Sequence, residues 1–120
     1  MHELSLCQSL MQQVEVIARE HRARAVSLVK VRIGPLSGVE PQLLVQAFPI
    51  ASAATVAEGA VLVTETLPVR VRCRRCGAES EARPNRLVCG VCGHWQTQLL
   101  SGDEMLLASV ELEDAQQHTA

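Results

Sequence analysis

Residues 73 to 92 read CRRCGAESEARPNRLVCGVC: two Cys-x-x-Cys pairs, Cys73 with Cys76 and Cys89 with Cys92, separated by twelve residues. A two-residue gap lets one tight turn aim both sulfurs of a pair at a single ion, and four thiolates match the tetrahedral preference of zinc. Glycine follows each pair, as Gly77 and Gly93. It suits a turn whose next residue takes φ > 0, so that backbone N–H groups point back at the sulfurs. The spacing predicts a zinc ribbon with Cys73, Cys76, Cys89 and Cys92 as ligands. Four cysteines close the coordination shell and leave no position for water or substrate, so the metal is expected to be a structural staple and not a catalyst.

Two other readings of the cysteines are weaker. Disulfides need an oxidising compartment, whereas the chain opens Met-His-Glu with no charged n-region, apolar h-region or cleavage site, which implies a cytoplasmic protein. A thioredoxin-type pair would stand alone between a strand and a helix, but here a matched second pair follows. Zinc is preferred to iron because thiolate sites of this spacing are most often structural zinc.

The 120 residues are enough for one small core plus a metal-stapled module, and too few for two full-sized cores. No apolar run approaches the roughly 20 residues needed to span a bilayer. Phe48 and Trp95 are the only aromatic residues apart from histidine, so the core must be built from Leu, Val, Ile and Ala, and few platforms exist for stacking bases. The net charge of −2 is unevenly placed: residues 69 to 95 hold six arginines against Glu79 and Glu81, a local +4 that leaves −6 elsewhere. Two readings of this basic stretch stand side by side. A four-thiolate zinc site is formally −2 and attracts arginines, and a basic face also suits an acidic partner or a nucleic acid.

Along the chain, Cys7, Leu10, Met11, Val14, Ile17, Ala18 and His21 recur at helical spacing and predict an amphipathic helix over residues 4 to 21, with Cys7 a buried small hydrophobe. Residues 26 to 33 alternate as a strand, Val29, Val31 and Ile33 on one face. After the loop 34 to 38, Pro41 opens a second helix with Leu44, Phe48, Ala51 and Ala54 as its stripe and Glu40 at its cap region. Pro49 is expected to kink or end it. Strands follow over 60 to 67, 95 to 100 and 105 to 112. Because both ends of an insertion must lie near each other, strands 60 to 67 and 105 to 112 are expected to be antiparallel neighbours. The predicted architecture is α+β: two helices packed on a small three-stranded sheet, with a zinc-ribbon module inserted between the last two sheet strands. Residues 1 to 67 plus 103 to 113 form one domain, 68 to 102 the ribbon, and 114 to 120 a disordered tail.

The start, Met1-His2-Glu3, offers its own chemistry. The terminal amine, the deprotonated amide nitrogen of His2 and the His2 imidazole can close adjacent chelate rings in one plane, and planar nitrogen ligation favours nickel(II) or copper(II) over zinc. Glu3 adds a carboxylate from the same turn.

These residues resemble the HypA/HybF hydrogenase maturation proteins, a family of nickel metallochaperones. The resemblance spans residues 1 to about 112. It rests on the opening Met-His-Glu-Leu-Ser with Cys-Gln-Ser just after it, the strand into Ile33-Gly34, the turn Glu58-Gly59-Ala60, and Cys-x-x-Cys twice. It implies a nickel metallochaperone, not an enzyme, that binds nickel through His2 with the Met1 amine and Glu3 as helpers, and carries a structural zinc on the four cysteines. Glu40 is a further nickel ligand implied by the acid that family members often show at the start of the second helix; the plainer reading is a helix-start acid facing the dipole. His94, beside Cys92, is either an orienting donor to a sulfur or an exposed loop histidine.

The chain has no Walker loop, so a nucleotide-driven step falls to a partner. The resemblance implies an accessory GTPase, with the hydrogenase large-subunit precursor as recipient; a homodimer is compatible with the chain, and a membrane partner is not expected. The competing class is a zinc-ribbon module that binds nucleic acid or docks a protein. The acidic remainder and scarce aromatics argue against nucleic acid. A zinc or thiol enzyme would need an open zinc position or an activated Cys7, and no Ser/His/Asp or Cys/His constellation supplies one.

Overall fold

The computed structural model describes residues 2–114, except the side chain of Asp114; Met1 and residues 115–120, and with them most of the expected tail, lie outside the described residues. The elements are α1 (His2–Glu20), β1 (Ala23–Ile33), α2 (Pro41–Ser52), β2 (Val61–Thr66), β3 (Arg70–Cys73), β4 (Glu79–Glu81), β5 (Thr97–Ser101) and β6 (Met105–Asp114). They build two three-stranded sheets, ordered β2-β1-β6 and β4-β3-β5. The chain divides into two compact units, one holding residues up to Val31, Glu40–Thr64 and those from Leu107, the other Arg32–Val39 and Glu65–Leu106.

In the first unit, α1 buries Cys7, Leu10, Met11, Val14 and Ala18, the i, i+3, i+4, i+7 stripe of an amphipathic helix. It starts two residues earlier than its apolar periodicity indicates. Glu3 in its first turn faces the positive end of the dipole and favours that early start. The stripe of α2 differs from expectation: Leu44, Phe48 and Ser52 are buried, while Ala51 is half-buried and Ala54 exposed. The i, i+4, i+8 line simply continues from Leu44 through a polar residue. Pro49 removes one backbone hydrogen bond, yet the helix runs on to Ser52. Ala53 is then extended, at φ −58° and ψ 135°, and Ala54 turns left-handed at φ 62°. That strained turn is held by the Ala54 N–H, which donates to Glu58 Oε1 at 2.8 Å.

β1 is the central strand of its sheet, and Val26, Val29, Val31 and Ile33 are all at most 5 % exposed. The strands expected to pair directly, β2 and β6, instead flank it. The reason is length and burial: an eleven-residue apolar strand would leave one long edge unpaired if it sat outside. Ile33 accepts from the Leu67 N–H at 3.0 Å and the next residue, Gly34, donates to the Glu104 carbonyl at 2.8 Å. Partners on β6 fall in number as β1 rises, Glu113 for Arg24 and Glu111 for Ser27, so these two strands are antiparallel. Gly34 has to be glycine: a Cβ there would lie 2.1 Å from the Gly102 carbonyl oxygen.

The second unit is built on β3, which pairs antiparallel with β4 (Val71 opposite Ser80) and with β5 (Val71 opposite Leu99, Cys73 opposite Thr97). β4 has no counterpart in the sequence reading, because Glu79-Ser80-Glu81 is short and polar. The second unit's buried side chains are few: Ile33, Leu67, Val69, Val71, Cys73 and Cys89.

Phe48 is 1 % exposed and is the largest fully buried side chain. Phe48→Ala is expected to lower unfolding stability by about 3–5 kcal/mol, read from the urea midpoint at constant slope; a loss under about 1 kcal/mol would show that α2 does not anchor the first unit.

Candidate metal centre

Cys73 ends β3, and the turn that follows is shaped by the backbone. The Arg75 and Cys76 N–H groups both donate to Cys73 Sγ at 3.3 Å, and the Gly77 N–H donates to the Cys73 carbonyl at 3.1 Å, with Gly77 at φ 77°. The second pair repeats this geometry. Val91 and Cys92 N–H groups donate to Cys89 Sγ at 3.3 Å, and the Gly93 N–H donates to the Cys89 carbonyl at 2.9 Å, again with φ 77°. Only glycine adopts that φ without strain.

The two turns face each other. All four sulfurs lie within 4.8 Å of one another, with Cys73 to Cys92 and Cys76 to Cys89 at 3.6 Å. A tetrahedron with metal–sulfur bonds of about 2.3 Å has edges of about 3.8 Å, so the donor set fits a soft four-coordinate ion. All four cysteines are free, Cys73 and Cys89 buried, Cys76 and Cys92 exposed.

The protons respond to the same geometry. The Cys76 N–H, with the Arg75 N–H behind it, holds the Cys73 thiol below the ordinary thiol range, and the Cys92 and Val91 N–H groups draw Cys89 down to about 6. For Cys76, the Ala78 N–H pulls downward, but burial and the sulfurs of Cys89, Cys73 and Cys92 outweigh it and push the thiol up to about 11. The turn amides thus lower two of the thiols while the neighbouring sulfurs raise a third, because like charges this close cannot all ionise unless a cation joins them.

Support for the second turn comes from residues the sequence reading passed over. Ser80, on β4, accepts from the Gly90 N–H at 2.9 Å, and the Thr97 hydroxyl donates to the Leu87 carbonyl at 2.8 Å. Ser80 stands between two glutamates and Thr97 between two glutamines, so no local sequence signal marks either role. His94 does not orient a sulfur: its Nε2 pairs with Gln96 Oε1 at 3.2 Å, while its carbonyl accepts from the Cys89 N–H at 2.9 Å.

The other singled-out residues lie in the first unit. His2 is exposed at the start of α1, Glu3 is half-buried and Glu40 exposed; Met1 is outside the described residues. The Glu40 N–H donates to Glu3 Oε2 at 3.4 Å, which brings the start of α2 beside the start of α1. Glu40 is the N-cap of α2 but makes no side-chain cap bond, so its carboxylate is not committed to the helix. Among the described residues the four thiols are the only cluster of three or more metal-donor side chains; His2, Glu3 and Glu40 do not gather into one. Cys7 belongs to neither group of donors. It is fully buried, its Sγ donates to the Leu44 carbonyl at 3.5 Å, and burial, helped by Glu3, pushes its thiol up to about 11.

Residues 1–112 match the family described as hydrogenase/urease nickel incorporation, metallochaperone, hypA. The chain is 52% identical over 112 residues to the hydrogenase maturation factor HypA of Nitrosospira multiformis, covering 93% of this chain and 97% of that one. It is 47% identical over 113 residues to the HypA of Aquifex aeolicus, covering 94% and 98%. Among solved structures it resembles the solution structure of the nickel metallochaperone HypA from Helicobacter pylori, with a TM-score of 0.73 and 27% identity over 93% of this chain and 97% of that one.

Protons compete with metal for thiolates, so acid should release the bound ion. Chelator-induced metal loss is expected to accelerate from about pH 7 to about pH 5, with Cys89→Ser losing the metal outright and opening the second unit to protease. Equal metal content in wild type and Cys89→Ser would overturn the assignment. Cys7 carries an alkaline signature: its folded-state value is raised from 9.0, so its contribution is complete below that and is lost as pH rises through about 11. Urea midpoints of wild type should fall over that interval more steeply than those of Cys7→Ala, and parallel slopes would place the thiol in contact with solvent.

Proposed function

The chain belongs to the HypA family of nickel-incorporation metallochaperones, and on that premise we propose that it binds nickel(II) at its N-terminus through His2 and hands it on during maturation of nickel–iron hydrogenase. It is a maturation factor, not an enzyme. The carrying observation is the position of His2: exposed, at the first residue of α1, in a chain of this family. The first four N–H groups of a helix have no intrahelical acceptor, so the His2 amide can give up its proton to a metal without breaking a helix bond. The Met1 amine and the His2 imidazole then complete a planar nitrogen set.

Charge is the obstacle, since a helix N-terminus disfavours a cation. The His2 amidate and the Glu3 carboxylate offset it. Glu40, whose carboxylate is free of capping duty, is a further donor from α2. Ligands drawn from a chain terminus exchange one at a time, which suits a protein that must release its cargo.

The ion we assign to Cys73, Cys76, Cys89 and Cys92 is zinc. When bound, it supplies cross-linking of the two turns and no chemistry, because the four thiolates fill its shell. We assign nickel handling to residues 1 to 67 plus 103 to 113 and zinc to 68 to 102. The partners follow from the family resemblance: an accessory GTPase, which would supply any nucleotide-driven step because this chain has no Walker loop, and the hydrogenase large-subunit precursor, all in the cytoplasm. No helix among the described residues is long and apolar enough to cross a membrane.

Calorimetric nickel(II) titration of untagged, zinc-loaded protein is expected to give about one nickel per chain, with affinity falling as pH is lowered because all three nitrogens compete with protons. His2→Ala should abolish binding while zinc content stays constant. Glu40→Gln should weaken binding by about tenfold if its carboxylate ligates. Equal nickel binding by wild type and His2→Ala would place the site elsewhere.

A further inference from the structure

Neither metal site uses the exposed rim of the second unit, which has two features that belong together. Val91 and Trp95 are 72% and 71% exposed, the highest values among the large hydrophobic side chains described as exposed. Both lie on or just after the second cysteine turn, whose ends are tied by the Cys89 N–H to His94 carbonyl bond of 2.9 Å. The Arg74 N–H donates to the Gln96 carbonyl at 2.9 Å, so the first turn, with Arg74 and Arg75, runs alongside the residue that follows Trp95. Both arginines are exposed. Among the described residues neither holds an ion pair, whereas Arg72, on the neighbouring strand, is engaged by Glu79.

A four-thiolate zinc site would account for nearby arginines. It does not account for an indole left in water just after the opposite turn. The His94 ring, 5.9 Å from the indole centroid and tilted by 38°, supports one side of Trp95 without covering it. Tryptophan and arginine are the residues that most often carry binding energy at protein interfaces, the first as a rigid apolar anchor and the second through paired hydrogen bonds to carboxylates.

The geometry points to a docking surface, formed by Arg74, Arg75, Val91 and Trp95, that takes an acidic protein segment bearing apolar side chains. Charge complementarity selects the partner: residues 69 to 95 carry +4. A single-stranded nucleic acid would share that attraction, but it is held by successive stacking platforms, and Trp95 is the unit's only indole or phenyl ring, in a chain whose remaining residues sum to −6. The surface shares no residue with the proposed nickel site and does not depend on it.

Trp95 is the only tryptophan and the chain has no tyrosine, so intrinsic fluorescence reports this rim alone. The probe is a peptide of about twelve residues alternating glutamate and leucine, added to the metal-loaded full chain. A saturable blue shift of Trp95 emission is expected, weakened about tenfold in the double variant Arg74→Ser, Arg75→Ser, and lost when glutamine replaces glutamate in the peptide. With dye-labelled peptide and anisotropy, Trp95→Ala and Val91→Ser should each weaken binding while Arg19→Ser leaves it unchanged. If the arginine variant binds as wild type does, or if single-stranded oligothymidine moves the emission and the peptide does not, the acidic-segment assignment is overturned.

Discussion

Four thiols within 4.8 Å of one another cannot all ionise without a cation among them, and the second unit is arranged around that demand. Its buried apolar side chains are few and mostly aliphatic, too small a set to hold some fifty residues by burial alone. The backbone has been spent on the sulfurs instead. Each turn gives two N–H groups to its first cysteine and closes with a left-handed glycine, so charge on sulfur and turn geometry stabilise each other. The strands β3, β4 and β5 then serve to bring the two turns face to face, with Ser80 and Thr97 bracing the second.

The first unit follows a different logic. Its core is an ordinary one, drawn from α1, α2 and β1, and it leaves the start of α1 at the surface. The hydrogen bond from the Glu40 N–H to Glu3 joins the two helix starts, so residues 37 positions apart in the chain meet there. Glu40, the N-cap of α2, makes no side-chain cap bond, so that helix start keeps a free carboxylate at the surface.

Pattern and propensity made much of this legible. Cys7, Leu10, Met11, Val14 and Ala18 announced α1, and the alternation of Val29, Val31 and Ile33 announced β1, because burial on one face imposes a period on the residues that face it. Where local pattern misleads, tertiary contacts outweigh it. Ser52 lies on the buried line of α2 although it is polar, so hydrophobicity alone shifted the stripe to Ala51 and Ala54. Pro49 stops a helix in isolation, but one further turn is carried by tertiary packing. β4 is three polar residues held by pairing with β3, and no local signal marks such a strand.

The sequence by itself determined the metal chemistry: spacing, residue type and following glycine set what Cys73, Cys76, Cys89 and Cys92 can bind, because those properties are local to each turn. It also determined which family the N-terminal residues resemble. Only the tertiary structure decided which strand lies in the middle of the larger sheet, that Glu40 comes beside Glu3, and that Trp95 stays in water one residue from the backbone bond that joins Arg74 to Gln96. Each of these depends on which distant segments meet, and contact between distant segments leaves no period or spacing in the chain from which it could be read.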